Sequence, residues 1–416
     1  MSKGAVGLTA GYWPEDVYRY LAIPGIPIDD GLVARPGKRT PDRPALIGHQ
    51  GPLSYKQFLA DLDQAMKTIL TSLEGKGNRV AIAVADPIEL MKVVFGALKA
   101  RAIVFLMNPT LPPAQLTAQL QLFHPDLALV DDAARRSIEA SSQGVRILSL
   151  PELRETKPAT AAPRGRQDLG APALALAMEG GGLAYHSHKS LLAGAVSWST
   201  FVPLKTEDLV LAAQPLYTWE GLYSLLPILF RGGTCLVADL QDPDKLAHGV
   251  REYHPIYTML SRPEARLLYQ PSHRPVVQAF KESLHGLFVS TTGPFTALGR
   301  LRLKNLLGKP ALLAFGSAEA GPVFSSHPTW YLDTAVGIPV TNVDVWPLNP
   351  ANGNPLEVPW EAIEYGEVGV KSPMTAADYD PPEEKEKRVK GGWLRTKIVT
   401  TMDPNGLFYI QSKIPD

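Results

Sequence analysis

The feature that most constrains the fold is a strand, helix, strand succession within the first 110 residues of the chain. Residues 79–86 (RVAIAVAD) form an almost unbroken apolar run of strand length, residues 88–100 have helical spacing, and residues 102–109 form a second apolar run. Strands that are apolar on both faces are typical of a parallel sheet covered by helices. Parallel neighbours need a crossover connection, so this succession predicts a βαβ unit.

The same alternation continues along the chain and divides it. We expect an irregular segment at 1–40, a first α/β lobe at 41–151, a linker at 152–170, a second α/β lobe at 171–330 and a β subdomain at 331–416. The last range has β-branched stretches separated by Pro, Gly and Asn, which indicates short antiparallel strands. The predicted fold class is α/β, with two doubly wound α/β lobes and a small antiparallel β subdomain.

Composition excludes several kinds of partner. The chain has 41 Lys and Arg against 41 Asp and Glu, so its formal net charge is zero and no global field draws it to nucleic acid. Its single cysteine, Cys235, cannot form an internal disulfide, which suits a reducing compartment. No apolar stretch reaches the ~18 residues of a membrane span, and the N-terminus lacks a signal-peptide pattern. We expect a soluble, cytoplasmic protein that recognises its ligand locally.

Several short stretches occur in an informative order. They are YHSHKSLL, QPLYTWEG, VSTTGPF, FGSAEAGPV, GEVGVKSPM and GGWLRTKIVTTMDPNGLFYIQSK. Each is weak alone, but their order and spacing resemble the adenylate-forming superfamily, which includes acyl- and aryl-CoA synthetases. The resemblance spans nearly the whole chain. It implies the N-terminal domain fold of that superfamily and an activity that joins a carboxylic acid to a thiol through an acyl-adenylate.

One loop departs from the family pattern. The family wraps the ATP phosphates with a loop rich in Ser, Thr and Gly that contains a Lys. Here the corresponding residues are Glu179, Gly180, Gly181 and Gly182. A carboxylate facing a triphosphate is a like-charge contact, so we expect a poor ATP cradle. The glycines can close a tight turn, and Lys189, beyond the loop, is expected to be a surface residue.

Three further positions depart from the resemblance. The family's ribose-binding Thr-Gly-Asp corresponds to Thr396, Lys397 and Ile398, and an isoleucine accepts no hydrogen bond. Thr218 stands where acyl-activating members often have His. Lys413 stands where the family often has Arg near the hinge, and it keeps the charge without the bidentate fork.

Other positions keep the family's residue types. The resemblance implies that Glu319 is the magnesium-binding glutamate, a hard oxygen ligand, or else a structural hydrogen-bonding group. It assigns an acyl pocket to Tyr217, Trp219, Gly221 and Leu222, for which plain core packing is the alternative. It assigns remnants of a nucleotide pocket to Gly180, Gly181, Gly182, Thr292, Gly293, Phe315, Gly316, Ser317, Thr396 and Lys413.

Two features receive a structural interpretation. His186 and His188 alternate at a strand end, so they face opposite sides and cannot chelate one metal ion. The charged run at 383–388 (EEKEKR) is expected to be a solvated helical turn without a function. Asp416, the last residue, matches the family's hinge, after which the family has a C-terminal lid. Either the lid is naturally absent or the chain was cut at the hinge.

Three functions remain open. In the first, the chain is an acyl- or aryl-CoA ligase homologue that is impaired in adenylation and active in the thioester-forming half-reaction. In the second, it is a non-catalytic acyl-binding or assembly module. In the third, it is an intact ligase that uses Lys189 or Lys397 to contact the phosphates. The resemblance implies a small carboxylic acid, acyl-adenylate or AMP and CoA as ligands, whereas the altered loop argues against ATP and Mg²⁺. A separate adenylating enzyme or a carrier is the implied partner.

Overall fold

The computed structural model describes residues 17–75, 77–139, 145–160 and 167–415. The helices in this part of the chain are α1 (Arg35–Arg39), α2 (Tyr55–Leu73), α3 (Pro87–Lys99), α4 (Pro113–Phe123), α5 (Asp132–Glu139), α6 (Leu150–Glu155), α7 (His188–Phe201), α8 (Trp219–Arg231), α9 (Pro243–Tyr253), α10 (Arg262–Leu267), α11 (Arg274–Ser283), α12 (Ala297–Leu307) and α13 (Glu383–Arg388). Short π-helical or 3₁₀ turns lie at Asp30–Ala34, Pro271–His273 and Trp360–Ala362.

The strands form two large sheets and one small sheet. They are β1 (Pro44–Gly48), β2 (Gly51–Ser54), β3 (Arg79–Ala83), β4 (Ile103–Leu106), β5 (Leu127–Val130), β6 (Arg146–Ser149), β7 (Pro172–Ala177), β8 (Leu183–Ser187), β9 (Leu209–Ala212), β10 (Thr234–Val237), β11 (Tyr257–Ser261), β12 (Gly286–Ser290), β13 (Ala311–Ser317), β14 (Gly321–Ser325), β15 (Ile338–Pro339), β16 (Asp344–Leu348), β17 (Gly366–Lys371), β18 (Asp378–Asp380), β19 (Val389–Lys390), β20 (Trp393–Met402) and β21 (Phe408–Lys413).

The predicted fold class is confirmed. A seven-stranded sheet has the order β18-β8-β7-β4-β3-β5-β6, parallel from β7 to β6 and antiparallel at β8 and β18. A nine-stranded sheet has the order β15-β14-β13-β12-β11-β9-β10-β1-β2, parallel from β13 to β1. A small antiparallel sheet contains β16, β17, β20, β19 and β21.

The sheets do not follow the predicted lobe boundaries. Strands β1 and β2, expected in the first lobe, belong to the nine-stranded sheet, where Leu46 pairs with Cys235. Strands β7 and β8, expected in the second lobe, and β18, expected in the β subdomain, belong to the seven-stranded sheet. Hydrophobic pattern identifies a buried strand but carries no information about its neighbours, which can be distant in sequence. Part of the expected linker, 161–166, lies outside the described residues.

The segment before β1 is more ordered than its Pro and Gly content suggested. Residues 1–16 lie outside the described residues, but Ile28, Leu32 and Val33 are buried in the main core, beside α2 and α8. The backbone N–H of Ile28 donates to Nδ1 of His188 at 3.3 Å. The expectation of an irregular segment is therefore wrong for residues 30–39, which are helical, whereas residues 17–27 contain no helix or strand.

The two predicted structural histidines lie at the junction of β8 and α7. The His186 ring contacts the carbonyl of Ala318 through Nε2 at 2.6 Å, and the His188 Nε2 contacts the side-chain amide of Gln167. Burial lowers the pKa of both imidazoles, and that of His188 falls to about 4. Both rings are therefore neutral near pH 7.

We expect His188 to make the folded protein sensitive to acid. Because its pKa is depressed in the folded state, the unfolded chain binds the proton more tightly, and stability falls as pH drops from 6.5 toward 4. One such group contributes a slope of at most ~1.4 kcal/mol per pH unit. Chemical denaturation at several pH values should show a shallower slope for His188→Gln. A matched His248→Gln variant, at a side chain that is 82% exposed, should keep the wild-type slope, and an unchanged slope in His188→Gln would contradict the assignment.

A close helix crossing supports the seven-stranded sheet. Helices α2 and α3 pack together where Gly96 faces Ala65, and a Cβ added at Gly96 would lie 2.6 Å from the Ala65 Cβ. We expect Gly96→Ala to lower the free energy of unfolding by ~1–3 kcal/mol through overpacking. Gly249→Ala in α9, where the added Cβ meets Leu236 at 3.5 Å, should instead raise it by up to ~1 kcal/mol. Urea titration checks both signs; a Gly96→Ala protein as stable as wild type refutes this packing argument.

Candidate active site

The residues that follow the carboxyl ends of several strands meet at one cavity of about 350 Å³. Such edges are where open α/β sheets bind ligands. The cavity lies between the two large sheets and is lined by Leu106, Asn108, Leu111, Gln119, Ala177, Glu179, Tyr217, Thr218, Trp219, Glu220, Thr292, Gly316, Ser317, Ala318 and Glu319. The lining is therefore mixed, with apolar walls and several polar groups.

Helix α8 begins at the cavity wall, and its first turn is fixed by Thr218. The Thr218 hydroxyl accepts from the N–H of Gly221 at 3.2 Å and donates to the carbonyl of Pro215 at 2.8 Å. The hydroxyl at the family's histidine position is thus committed to a helix cap. The neighbouring Trp219 packs edge-on against Tyr223 with ring centres 6.3 Å apart, and it contacts Gly316 closely enough that a Cβ there would lie 2.9 Å from the indole.

Two polar groups of the wall were not expected from the sequence. Glu220 accepts a hydrogen bond from the Ser290 hydroxyl at 2.8 Å, and burial raises the pKa of its carboxyl group. The Gln119 Oε1 atom is buried and has no hydrogen-bond partner among the described residues. A buried acceptor without a donor is costly. A ligand that donates to Gln119 would remove that cost.

Glu319 lies on the turn between β13 and β14 and is held by an arginine. Arg388 Nη1 is 2.5 Å from Glu319 Oε1, and only 12% and 10% of the two side chains are exposed. The same guanidinium bonds Glu384 through Nε at 2.9 Å and the carbonyl of Glu179 through Nη2 at 3.3 Å. The expectation that 383–388 is a solvated helical turn without a role is therefore wrong for Arg388, which bonds two residues of the cavity lining from the end of α13.

The predicted phosphate loop is a tight connection between β7 and β8. Gly180, Gly181 and Gly182 all have positive φ, at 81°, 98° and 85°, a region that other residues adopt with strain. The Met178 N–H donates to the Gly182 carbonyl at 3.0 Å and closes the turn. Beside it the Lys413 ammonium forms an ion pair with the Glu179 carboxylate. The glycines do not line the cavity, whereas Glu179 does.

The other predicted site residues divide into two groups. Tyr217, Trp219, Thr292, Gly316, Ser317 and Glu319 line the cavity. Phe315 is buried behind it against Phe324, with ring centres 6.2 Å apart, and Gly221 and Leu222 face the core. Gly293 follows Thr292 without lining the cavity, and Asp416 lies outside the described residues.

The predicted ribose positions lie on β20 and are used within the small sheet. The Thr396 hydroxyl donates to the Val368 carbonyl at 2.8 Å, and Ile398 is 1% exposed. Lys397 has a positive φ of 56° and its N–H bonds Glu367. Lys189 is exposed in the first turn of α7, as the sequence suggested.

The described residues contain no group of three or more His, Cys, Asp or Glu side chains arranged to hold a metal ion. None of their helices combines the length and the apolar character that crossing a membrane requires.

Comparison with known proteins identifies the family. The model of the family described as AMP-binding enzyme matches residues 33–175 and 183–380. A long-chain-fatty-acid–CoA ligase of Escherichia coli is 23% identical over 431 residues, covering 91% of this chain and 75% of the relative.

Two solved structures share the fold. The crystal structure of ATP-bound MatB from Rhodopseudomonas palustris superposes with a TM-score of 0.80 at 19% identity, covering 93% of this chain and 79% of that one. The N-terminal domain of FACL13 from Mycobacterium tuberculosis also has a TM-score of 0.80, at 18% identity, covering 93% and 100%. The protein therefore belongs to the AMP-binding enzyme family, within the adenylate-forming superfamily that includes acyl-CoA ligases.

Proposed function

We propose that the protein binds a small carboxylic acid or its acyl-adenylate in the cavity, is impaired in forming the adenylate from ATP, and acts in the thioester-forming half-reaction. The observation that carries this proposal is the ion pair between Arg388 and Glu319. It places a permanent cation on the carboxylate that would otherwise serve as the magnesium ligand.

The residues present do not fit Mg²⁺ and a triphosphate. Glu319 would have to exchange a well-buried guanidinium partner for the metal, and this exchange would leave Arg388 beside the metal ion, a like-charge contact. The loop at 179–182 offers three glycines and a carboxylate in place of hydroxyls and an ammonium. Residues 176–182 also fall between the two segments matched by the family model. All these observations favour loss of the ATP-consuming step.

Binding of the acid or adenylate is less affected by these changes. Tyr217 and Trp219 supply aromatic surface for an apolar group. Gln119 Oε1 supplies an acceptor that has no partner in the described chain. The cavity, at about 350 Å³, lies within the ~300–1,000 Å³ typical of small-molecule sites.

The proposed reaction starts from a preformed adenylate. The sulfur of a thiol, such as that of CoA or a carrier, attacks the acyl carbonyl carbon and forms a C–S bond. The bond between that carbon and the phosphate oxygen breaks, AMP leaves with the electron pair, and the thiol proton passes to solvent. The developing charge on AMP is smaller than that handled in triphosphate cleavage, and Arg388 is the nearest described cation to Glu319 that could interact with it.

A second candidate, a non-catalytic acyl-binding or assembly module, is favoured by the pairing of charges around the loop. Glu179 pairs with Lys413, while Glu384 pairs with both Lys387 and Arg388. Because Lys413, Lys387 and Arg388 are already paired with carboxylates, they contribute little to the binding of a phosphate group. The third candidate, an intact ligase with atypical phosphate contacts, requires Lys189 or Lys397 in place of the missing donors.

A ligand panel separates the three candidates. We expect a non-hydrolysable acyl-adenylate analogue to raise the melting temperature, since a ligand at 100 times its Kd adds ~2.7 kcal/mol of stability. Trp219→Ala should remove the shift. Mg²⁺ should add nothing to any shift that ATP alone gives, and ATP–pyrophosphate exchange should be absent. Conversion of the acyl-adenylate and a thiol to a thioester would support the half-reaction, whereas binding without conversion would support the module. ATP–pyrophosphate exchange that Lys189→Glu or Lys397→Glu abolishes would support the intact ligase.

Substitutions of the two members of the Arg388–Glu319 ion pair should change the affinity for AMP in opposite directions. Glu319→Gln removes one of the two carboxylates that pair with Arg388 and leaves its Nη1 group without an anionic partner. We therefore expect the affinity for AMP to rise about tenfold, as one charge-assisted hydrogen bond of ~1.5 kcal/mol allows. Arg388→Gln should lower it by a similar factor. Isothermal titration with AMP measures both, and the matched exposed-pair variant Glu139→Gln should change nothing. If Glu319 instead holds a metal for the nucleotide, Glu319→Gln weakens binding.

A further inference from the structure

A groove on the nine-stranded lobe lies outside the cavity described above. It has a volume of about 410 Å³ and runs between α10 with its following turn and α12. The groove residues of α10 and the turn, Arg262, Ala265, Arg266 and Tyr269, lie at positions i, i+3, i+4 and i+7, the spacing of one helical face. Those of the α12 side are Phe295, Thr296, Gly299, Arg302 and Leu303.

The groove is strongly basic in a chain whose net charge is zero. Three arginines line it, and no lining residue is acidic. The nearby Glu264 is bound to Ser261 and Gln214. In the part of the chain that the structure describes, none of the three groove arginines takes part in an ion pair. Their charge is therefore available to a partner.

The groove also has an apolar component. Its floor includes Ala265 and Leu303, which are buried. Tyr269 at the groove, and Leu298 and Leu301 on the adjoining face of α12, are large apolar side chains that are 50%, 56% and 44% exposed. Arg and Tyr next to exposed apolar groups are typical of protein interfaces. A small anion would cover the charges but leave this apolar surface in water.

One of the arginines is already positioned. Arg262 donates to the carbonyl of Pro294 at 3.0 Å, and its guanidinium lies 5.4 Å from the centre of the Phe295 ring. A side chain fixed in this way loses little conformational entropy on binding. Arg266 and Arg302 are exposed on opposite walls, so acidic groups on one partner surface could reach both.

We propose that this groove docks an acidic amphipathic helix of a partner protein, with carboxylates on Arg262, Arg266 and Arg302 and an apolar side chain on the floor beside Gly299. The three arginines favour a negatively charged partner, and the exposed leucines beside the groove favour an amphipathic helix over a free anion. The proposal is independent of the chemistry in the cavity.

The test uses the whole protein and a labelled helical peptide of about 18 residues, five turns, with Glu on one face and Leu on the other. Fluorescence anisotropy should show binding that weakens as salt rises from ~50 to ~300 mM. A peptide with Lys in place of Glu should not bind. The variant with both Arg266→Glu and Arg302→Glu should lose at least about tenfold in affinity.

A second variant separates shape from charge. Gly299→Leu keeps every arginine and fills the floor, since a Cβ there would already lie 3.1 Å from Thr296 Oγ1 and 3.4 Å from the Phe295 ring. This variant should also lose at least about tenfold in peptide affinity. Arg274→Glu, at an exposed arginine that does not line the groove, should bind the peptide as the wild type does. The proposal would be overturned if both peptides bound equally well or if the groove variants had no effect. It would also be overturned if inorganic pyrophosphate displaced the peptide and Gly299→Leu bound it as the wild type does, because the groove would then be a small-anion site.

Discussion

The contact between Arg388 and Glu319 is the interaction on which the arrangement of the cavity depends. It joins three segments that are far apart in sequence: α13, the turn between β13 and β14, and the loop after β7. Both side chains are almost fully removed from water, so loss of one partner leaves a buried charge and costs ~3–5 kcal/mol. The pair therefore ties α13 to the β13–β14 turn of the nine-stranded sheet, and it neutralises the edge of the cavity.

This constraint separates two sides of the cavity. The wall around Trp219 and Gln119 has aromatic surface and an acceptor without a donor among the described residues. The edge around Glu179 and Glu319 has its charges paired within the protein. A site with an open apolar wall and a neutralised anion edge suits an acid or adenylate better than a metal-bound triphosphate. Our functional proposal follows from this asymmetry.

The sequence predicted individual strands and helices better than it predicted which strands pair and which side chains meet. Apolar runs such as 79–86 identified buried strands because burial on both faces leaves a continuous pattern, and the motif order identified the fold class. The pattern could not say that β1 pairs with β10 or that β18 joins β8, because register with a distant strand leaves no local signal. Arg388 was missed for the same reason: within EEKEKR it resembles its solvated neighbours, and only the fold brings it to Glu319. Trp219 and Glu319 were assigned from the order of the motifs, and both line the cavity.

The most direct test of the central claim is the effect of Mg²⁺ on nucleotide affinity. Titration of the wild-type protein with ATP, once with excess Mg²⁺ and once with a chelator, measures whether the carboxylate edge can recruit the metal. If Arg388 occupies Glu319 as we describe, the two affinities agree within a factor of about two, well below the tenfold that 1.4 kcal/mol represents. An increase of tenfold or more with Mg²⁺ would show that Glu319 is available to the metal and would contradict the account.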